Sequence, residues 1–491
     1  MKKLQLMAWP KLCSVLLLVA AALFTASCAK DELSGDSFNG TYGGSQLTKP
    51  DAATIKVTTS SDRTSQTVTW ATVNGALSYI VNVTAGDTEG QYDEVVVKDV
   101  TVRGNSYSFK RTSRKYYHFT ISTAFNPAEN NTGSDPNDPA IKNWDTFSTD
   151  ITIPGGTDLA KYFDENDPVT ISDGLPLMIN LIAGEQYTAP DTLCFTGVNA
   201  TITSDPDNRA QITFGETENS KGTIVTDNSF TLENVDINWD VASNGAPLIV
   251  LDKNPTTTPV GSNAYYHIPS ITINNVKATD LKNSLFHDNN TKYCVIDFKI
   301  TNSVFKLATA EVKYEAIIAF QAGGAKDFTV EKSTFWGNNA IAKYFVRFNN
   351  SSRLDRYGFT EPTDTWSFTY ENNTFYGLLK DDGQWGNYSG MVSNNKEKVG
   401  IITNNKNIWY NCDAQTTRRL LHSKKFADFN EASTMADNTF WRNGGVVDQE
   451  SYGNQSDITS EPQFAGAAEG DFTLGACDQK TKGCGDPRWL K

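Results

Sequence analysis

The sequence predicts an all-β chain in two parts, an antiparallel sandwich followed by a right-handed parallel β-helix. Three observations predict it. From Ser229 to Gly445 a short phrase recurs: an alternating strand, then Asn or another polar residue, then a bulky apolar or aromatic residue. Before Pro154 the strands alternate without that phrase. The composition, 11% aromatic with 35 Gly in 491 residues, suits strands and turns better than helices.

The chain starts with lysines, then an apolar run from Val15 to Phe24, then small residues before Cys28. That is the pattern of a secretory signal over residues 1–27. Its apolar core is short for a spanning helix, which needs about 20 residues. Thr25-Ala26-Ser27-Cys28 resembles a bacterial lipobox, with Thr25 where Leu is usual. Ala29-Lys30-Asp31-Glu32 resembles the surface-export signal of Bacteroidota lipoproteins. These resemblances imply a lipid on Cys28, an outer-membrane anchor and a body facing the cell exterior. Residues 28–47, rich in Gly, Ser, Asp and Thr, read as a flexible tether.

Residues 48–154 read as the sandwich. Gln66 to Trp70 alternates, as do Tyr79 to Val83 and Tyr116 to Ala124. A Trp on an early strand, a Tyr opening the next and a later Tyr-x-Phe-x-Ile strand resemble a fibronectin type III domain. As a spacer it needs no chemistry of its own.

Gly155-Gly156 opens the β-helix segment, 155–491. Asp158 to Phe163 suits a short helix that closes the first turn, whose strand edges are otherwise unpaired. Weaker strands follow at Leu177 to Ile182, Leu193 to Ile202 and Gln211 to Phe214. The clear copies begin with Phe230-Thr-Leu-Glu-Asn234 and Ile271-Thr-Ile-Asn-Asn275, and continue through Phe298 to Asn302 and Phe328 to Lys332. Phe368 to Asn372, Asn404-Asn405 and Asp437-Asn438 complete the series, the polar positions being 41, 27, 30, 40, 33 and 32 residues apart. Such a period marks stacked units that cannot bury their apolar faces alone. Asn tolerates left-handed φ and its amide can bond the next Asn in the stack, so it suits a tight corner. Asp471 to Leu474 and Gly485 to Trp489 read as the far terminal cap.

The net charge of −14 becomes about −17 once Lys2, Lys3 and Lys11 leave with the signal. A chain this acidic lacks the basic footprint of a nucleic-acid binder. Of the seven cysteines, Cys13 leaves with the signal and Cys194, Cys294 and Cys412 sit in strand-like settings that suit buried thiols. Cys477 and Cys484 enclose a short polar loop, a spacing compatible with a disulfide in an exported protein. No CxxC or Cys/His cluster offers a metal site, and no cofactor other than Ca²⁺ is expected.

With its repeats and its ending Pro462-Gln-Phe464, Asp471-Phe-Thr-Leu474 and Gly485-Asp-Pro-Arg-Trp489, the chain resembles Bacteroidota surface lipoproteins carrying a fibronectin domain and a pectate-lyase-like β-helix. The resemblance implies polysaccharide handling, of pectic or other uronate-containing chains, alongside outer-membrane glycan transporter components. Membrane contact would run through the lipid alone.

In such β-helices a ligand lies along one long sheet. The segments between repeats offer Asp252, His287, Asp288, Gln321, Arg347, Ser393 and His422 at their ends. A lyase needs a base beside the uronate and a charge neutraliser; Arg347, with Arg353 and Arg356 after it, is the compact basic cluster. Asp381-Asp382-Gly383 reads as a turn and lacks the partner carboxylate a hydrolase needs. Binding asks for less: aromatic faces for the sugar ring and polar groups at its edge. Trp336, Tyr376, Trp409 and Trp441 each follow a bulky repeat residue and are expected outward on one line, and Trp385 stands in a Gly-rich loop. The reading that follows is a glycan-binding surface lipoprotein, ahead of a surface polysaccharide lyase and of a structural or adhesive rod.

Overall fold

The computed structural model describes residues 46–59, 65–112, 114–127, 131–240, 245–308, 316–337, 342–348, 354–361, 363–387, 400–412, 430–446 and 458–491, with backbone alone at 380–387. The signal, Cys28 and most of the tether lie outside the described residues.

Period-two burial builds the sandwich. Strands Lys56–Thr59, Ser65–Thr69 and Ser106–Lys110 form one antiparallel sheet. Glu94–Val102, Tyr79–Gly86, Tyr116–Thr123 and Ala140–Asp145 form the other, in that order. Val68, Val81, Val83, Phe119 and Ile121 face inward, and Trp70 meets Tyr79 edge-on at 5.4 Å. The Tyr117 hydroxyl accepts from Thr112 N (2.8 Å) and donates to Thr112 O (3.3 Å), the tyrosine corner of immunoglobulin-like sandwiches.

The next strand, Thr149–Ile153, pairs in parallel with Leu177–Leu181, so the coil starts just ahead of Gly155-Gly156. Across this junction Arg111 pairs with Asp150 and donates to Ser148 Oγ. The closing helix is Leu159–Glu165; Asp158 caps it by accepting from Ala160 N and Lys161 N, and it buries Leu159 and Phe163 against the first turn.

Three parallel sheets then wind around a shared core. Among the described residues sheet 1 has ten strands, from Thr149–Ile153 to Thr434–Ala436, sheet 2 has ten, from Gln186–Ala189 to an antiparallel Gly445–Val446, and sheet 3 has seven, from Thr192–Phe195 to Leu379–Asn387. Each turn runs from sheet 3 to sheet 1 and into sheet 2, and from Phe230 onward it does so round a one-residue corner. The corner residue holds positive φ: Asn234 (56°), Asn275 (52°), Asn302 (52°), Lys332 (49°), Asn372 (55°), Lys406 (57°) and Asp437 (56°). In the sixth turn Lys406 takes the corner expected of Asn405, one residue later.

Between corners Asn275 Nδ2 donates to Asn234 Oδ1 (2.9 Å), as expected, while a longer side-chain ladder runs one residue after the corner and inside the wall. A corner interrupts strand pairing, so the N–H that follows it needs another acceptor. Ser303 N donates to Ser333 Oγ (3.1 Å), Ser333 N to Asn373 Oδ1 (3.1 Å), Asn373 N to Asn407 Oδ1 (2.9 Å) and Asn407 N to Asn438 Oδ1 (3.0 Å). All five side chains are fully buried. Next to them Phe305, Phe335, Phe375, Trp409 and Phe440 stack in register, with centroids 4.8, 5.7, 5.5 and 4.3 Å apart. Burying each ring contributes about 1.5–3 kcal/mol.

The segment 458–491 corrects the expected end cap. It runs back along the outer face of sheet 2 as a strap, made of a hairpin (Phe464–Gly466 with Asp471–Leu474) and a short helix, Asp478–Lys482. Its polar grip reaches four successive turns. Asp486 Oδ2 accepts from Thr334 Oγ1 (2.8 Å), Asp486 N donates to Thr374 Oγ1 (3.0 Å), Gly485 N to Lys406 O (2.7 Å) and Gln479 Nε2 to Thr439 Oγ1 (3.2 Å). Cys477 and Cys484 are free thiols, not the expected disulfide. Cys484 packs with Ile408, Ile458 and Leu474, and burial pushes its thiol up to about 12, while Cys477 stands at the residue before the helix with no side-chain capping bond. No described helix is long and apolar enough to cross a membrane.

Candidate functional site

On sheet 3, the expected ligand face, Cys194, Val225, Val250, His287, Ala319, Arg347 and Asn387 share one register and form the outward row. The row is mainly apolar. Cys194 is exposed, against the expectation of a buried thiol, whereas Cys294 and Cys412 are buried. His287 is 1% exposed and its Nδ1 accepts from Asn289 N at 3.1 Å. Asp288 is fully buried, its Oδ2 accepting from Ala322 N (2.8 Å) and Gly323 N (2.7 Å). Burial pushes its carboxyl up to about 6 despite those bonds. His287 and Asp288 therefore shape a turn and present nothing to a ligand. Asp252 does similar work, accepting from Thr196 Oγ1 (2.6 Å) and Asn254 N (2.9 Å).

Arg347 stands on the outer face with its guanidinium 5.3 Å over the Tyr344 ring, and Tyr344 is buried with Ala316 and Ala319. Arg356 lies on the helix Leu354–Tyr357, while Arg353, Ser393 and His422 lie outside the described residues. The next strand of this sheet is Leu379–Asn387. Trp385, expected in a loop, is therefore on a strand. Asp381-Asp382-Gly383 falls in a pairing irregularity, where Leu379 to Gln384 opposes only Ala342 to Tyr344. Among the described residues no three His, Cys, Asp or Glu side chains gather as a metal site.

Sheet 2 is more informative. Lys306, Trp336, Tyr376, Tyr410 and Trp441 share its outward row. Trp409 does not; it is 2% exposed in the inward stack between Phe375 and Phe440. The Lys406 corner explains this, because moving the corner by one residue turns every later side chain to the other face. Tyr410 was the residue to name, and the stacked Phe375–Trp409–Phe440 register is the signal that finds it.

The strap covers part of this row. Trp336 is 7% exposed under Phe472, which meets it edge-on at 5.8 Å. Gly470, at φ 87°, lies so close that a Cβ there would meet the Trp336 ring at 2.6 Å. Further along, cover gives way to a groove of about 400 Å³ lined by Tyr376, Tyr410, Glu461, Gln463, Phe464 and Glu469, among others. Tyr376 and Tyr410 lie parallel, 5.5 Å apart, and Phe464 stands edge-on to Tyr410 at 5.5 Å. The Tyr410 hydroxyl donates to Glu461 Oε1 at 2.7 Å; burial and that carboxylate push the phenol up to about 12. The groove thus joins half-buried rings to a carboxylate held in a fixed plane.

Three family models match successive stretches of the chain, each described as a domain of unknown function: DUF4992 over residues 1–180, DUF4957 over 185–338 and DUF5123 over 328–489. No curated protein matches. Among solved structures, pectate lyase PelI from Erwinia chrysanthemi, crystallised with tetragalacturonic acid, matches at 12% identity over 68% of this chain and 88% of that one, with a TM-score of 0.19. The assignment as a parallel β-helix rests on the three sheets and their register.

Proposed function

We propose that this protein is a surface lipoprotein, tethered through Cys28, that holds a polysaccharide for an outer-membrane uptake system, and that the chain lies in the groove between strap and sheet 2. The observation that carries the reading is the aromatic wall of Tyr376, Tyr410 and Phe464 beside Glu461 and Gln463. Sugar rings offer apolar C–H faces to aromatic rings and hydroxyl edges to carboxylates and amides. Nothing in that wall needs to react. A lyase would need a base and a charge neutraliser beside the uronate, and among the described residues of the sheet 3 outward row Arg347 is the one strong base, against a Tyr ring.

Native affinity electrophoresis of the soluble chain beginning after Cys28 tests this, against a panel of plant and host polysaccharides with Ca²⁺ and with chelator. Retardation by a polymer that stays intact is the expected result. Retardation with shortening of the polymer would replace the reading with a lyase, and Arg347→Ala should then abolish the shortening. Free migration on every polymer would leave a structural rod.

A further inference from the structure

The charge of the groove goes further than its shape. Besides the Tyr376 and Tyr410 hydroxyls its polar side chains are Glu461, Gln463 and Glu469, and no Lys or Arg lines it among the described residues. Glu461 holds one oxygen against the Tyr410 hydroxyl, which fixes the carboxylate plane. A carboxylate offers about four lone-pair sites, so the same group still has acceptor capacity for a hydroxyl on the ring face above Tyr410. Glu469 is exposed at the groove's mouth, so a second negative charge stands on the way in.

We infer that the groove selects an uncharged glycan, whose vicinal hydroxyls bond to Glu461 while a ring face rests on Tyr410 and Phe464, and that it rejects uronate chains. This rests on the glycan-binding reading above and narrows it. A uronate carboxylate seated on the same ring would face Glu461 at a few ångströms in a partly desolvated site, where like charges repel and no lining cation compensates. A neutral sugar meets the opposite situation, since each hydroxyl it loses from water gains a charged acceptor. Tyr410 acts here twice, as a ring for stacking and as a positioning residue for Glu461. The uronate-containing ligand implied by the sequence resemblance does not fit this electrostatic lining.

One polymer backbone in two charge states tests the inference. Highly methyl-esterified homogalacturonan and its saponified form share one backbone and differ at C6, a neutral methyl ester in one and a carboxylate in the other, and β-1,4-galactan adds a neutral chain with no carboxyl. Affinity electrophoresis and calorimetry at low ionic strength, without Ca²⁺, should show binding to galactan or to the esterified chain, at least tenfold tighter than to the saponified one. That gap should narrow in salt, as screening requires, and in Glu461→Gln and Glu469→Gln. The second variant alters an exposed side chain, so it keeps the test open if Glu461→Gln fails to fold. Equal or tighter binding of the saponified polymer would overturn the selection and leave the groove as a glycan site. No binding of any of the three would overturn the glycan site and the selection with it.

Discussion

Replacing Asn407 by Ala tests the buried ladder directly. Asn407 is fully buried; its Oδ1 accepts from Asn373 N (2.9 Å) and its Nδ2 donates to Tyr370 O (2.7 Å). Ala takes these partners from the Asn373 N–H and the Tyr370 carbonyl, and also breaks the buried bonds to Asn373 Nδ2 (2.9 Å) and Asn404 Oδ1 (3.0 Å), so the two backbone losses set a lower bound. Each such loss costs about 1–3 kcal/mol, so the variant should lose about 2–6 kcal/mol before any cavity cost. Asn405→Ala is the matched control, two residues away. The Asn405 amide donates to Thr434 Oγ1 (2.9 Å) at an exposed site, so its loss should cost no more than about 1 kcal/mol. Urea unfolding followed by Trp fluorescence and by far-UV circular dichroism reads both. A cost below about 1 kcal/mol for Asn407→Ala, or equal costs for the two, would refute the claim that the inner row holds the turns in register.

Other outcomes follow from the same geometry. Asp288 titrates at about 6 when folded, above the ordinary 3.8, because burial disfavours its charge. Its contribution is therefore full below about 3.8 and lost as pH rises through about 6; urea midpoints across pH 4–7 should show this fall, flattened in Asp288→Asn. An unchanged slope in the variant would exclude Asp288 as its source. Gly470→Val should lift the strap, since it sets a branched side chain at φ 87° against the Trp336 ring; limited proteolysis should then cut within 458–491 faster, and parental resistance would contradict this. Tyr410→Ala should weaken glycan affinity by about 1–3 kcal/mol in calorimetry, typical of a contact-residue truncation, whereas unchanged affinity would remove Tyr410 from the site.

Much of the coil was legible because its pattern is local and repeated. Every corner except the sixth is where the polar positions place it, since a one-residue left-handed turn leaves the same mark each time. The run Asn404-Asn405-Lys406-Asn407 offers several polar residues, and only the pairing of Lys406 N with Ala436 O decides among them. That single step put Trp409 on the wrong face and hid Tyr410. The strap was illegible for another reason. Thr334 and Asp486 are 152 residues apart, and a contact that distant leaves no periodic trace in either segment. His287 and Asp288 misled because a polar pair after an apolar run looks the same whether it serves a ligand or the N–H groups of a buried turn.

A stack in which each turn touches only its neighbours can fray from its end one turn at a time. Here the last 34 residues, 458–491, are bolted to the turns holding Thr334, Thr374, Lys406 and Thr439. The final turn cannot peel away without releasing that bolt from the three before it, so this end should open in one step. During synthesis the order is reversed: the outer face of sheet 2 stays bare until the strap, 458–491, has been made. A chain lacking the Gly485–Trp489 stretch would complete its coil and lose three of the four polar bonds of the latch, keeping the one from Gln479.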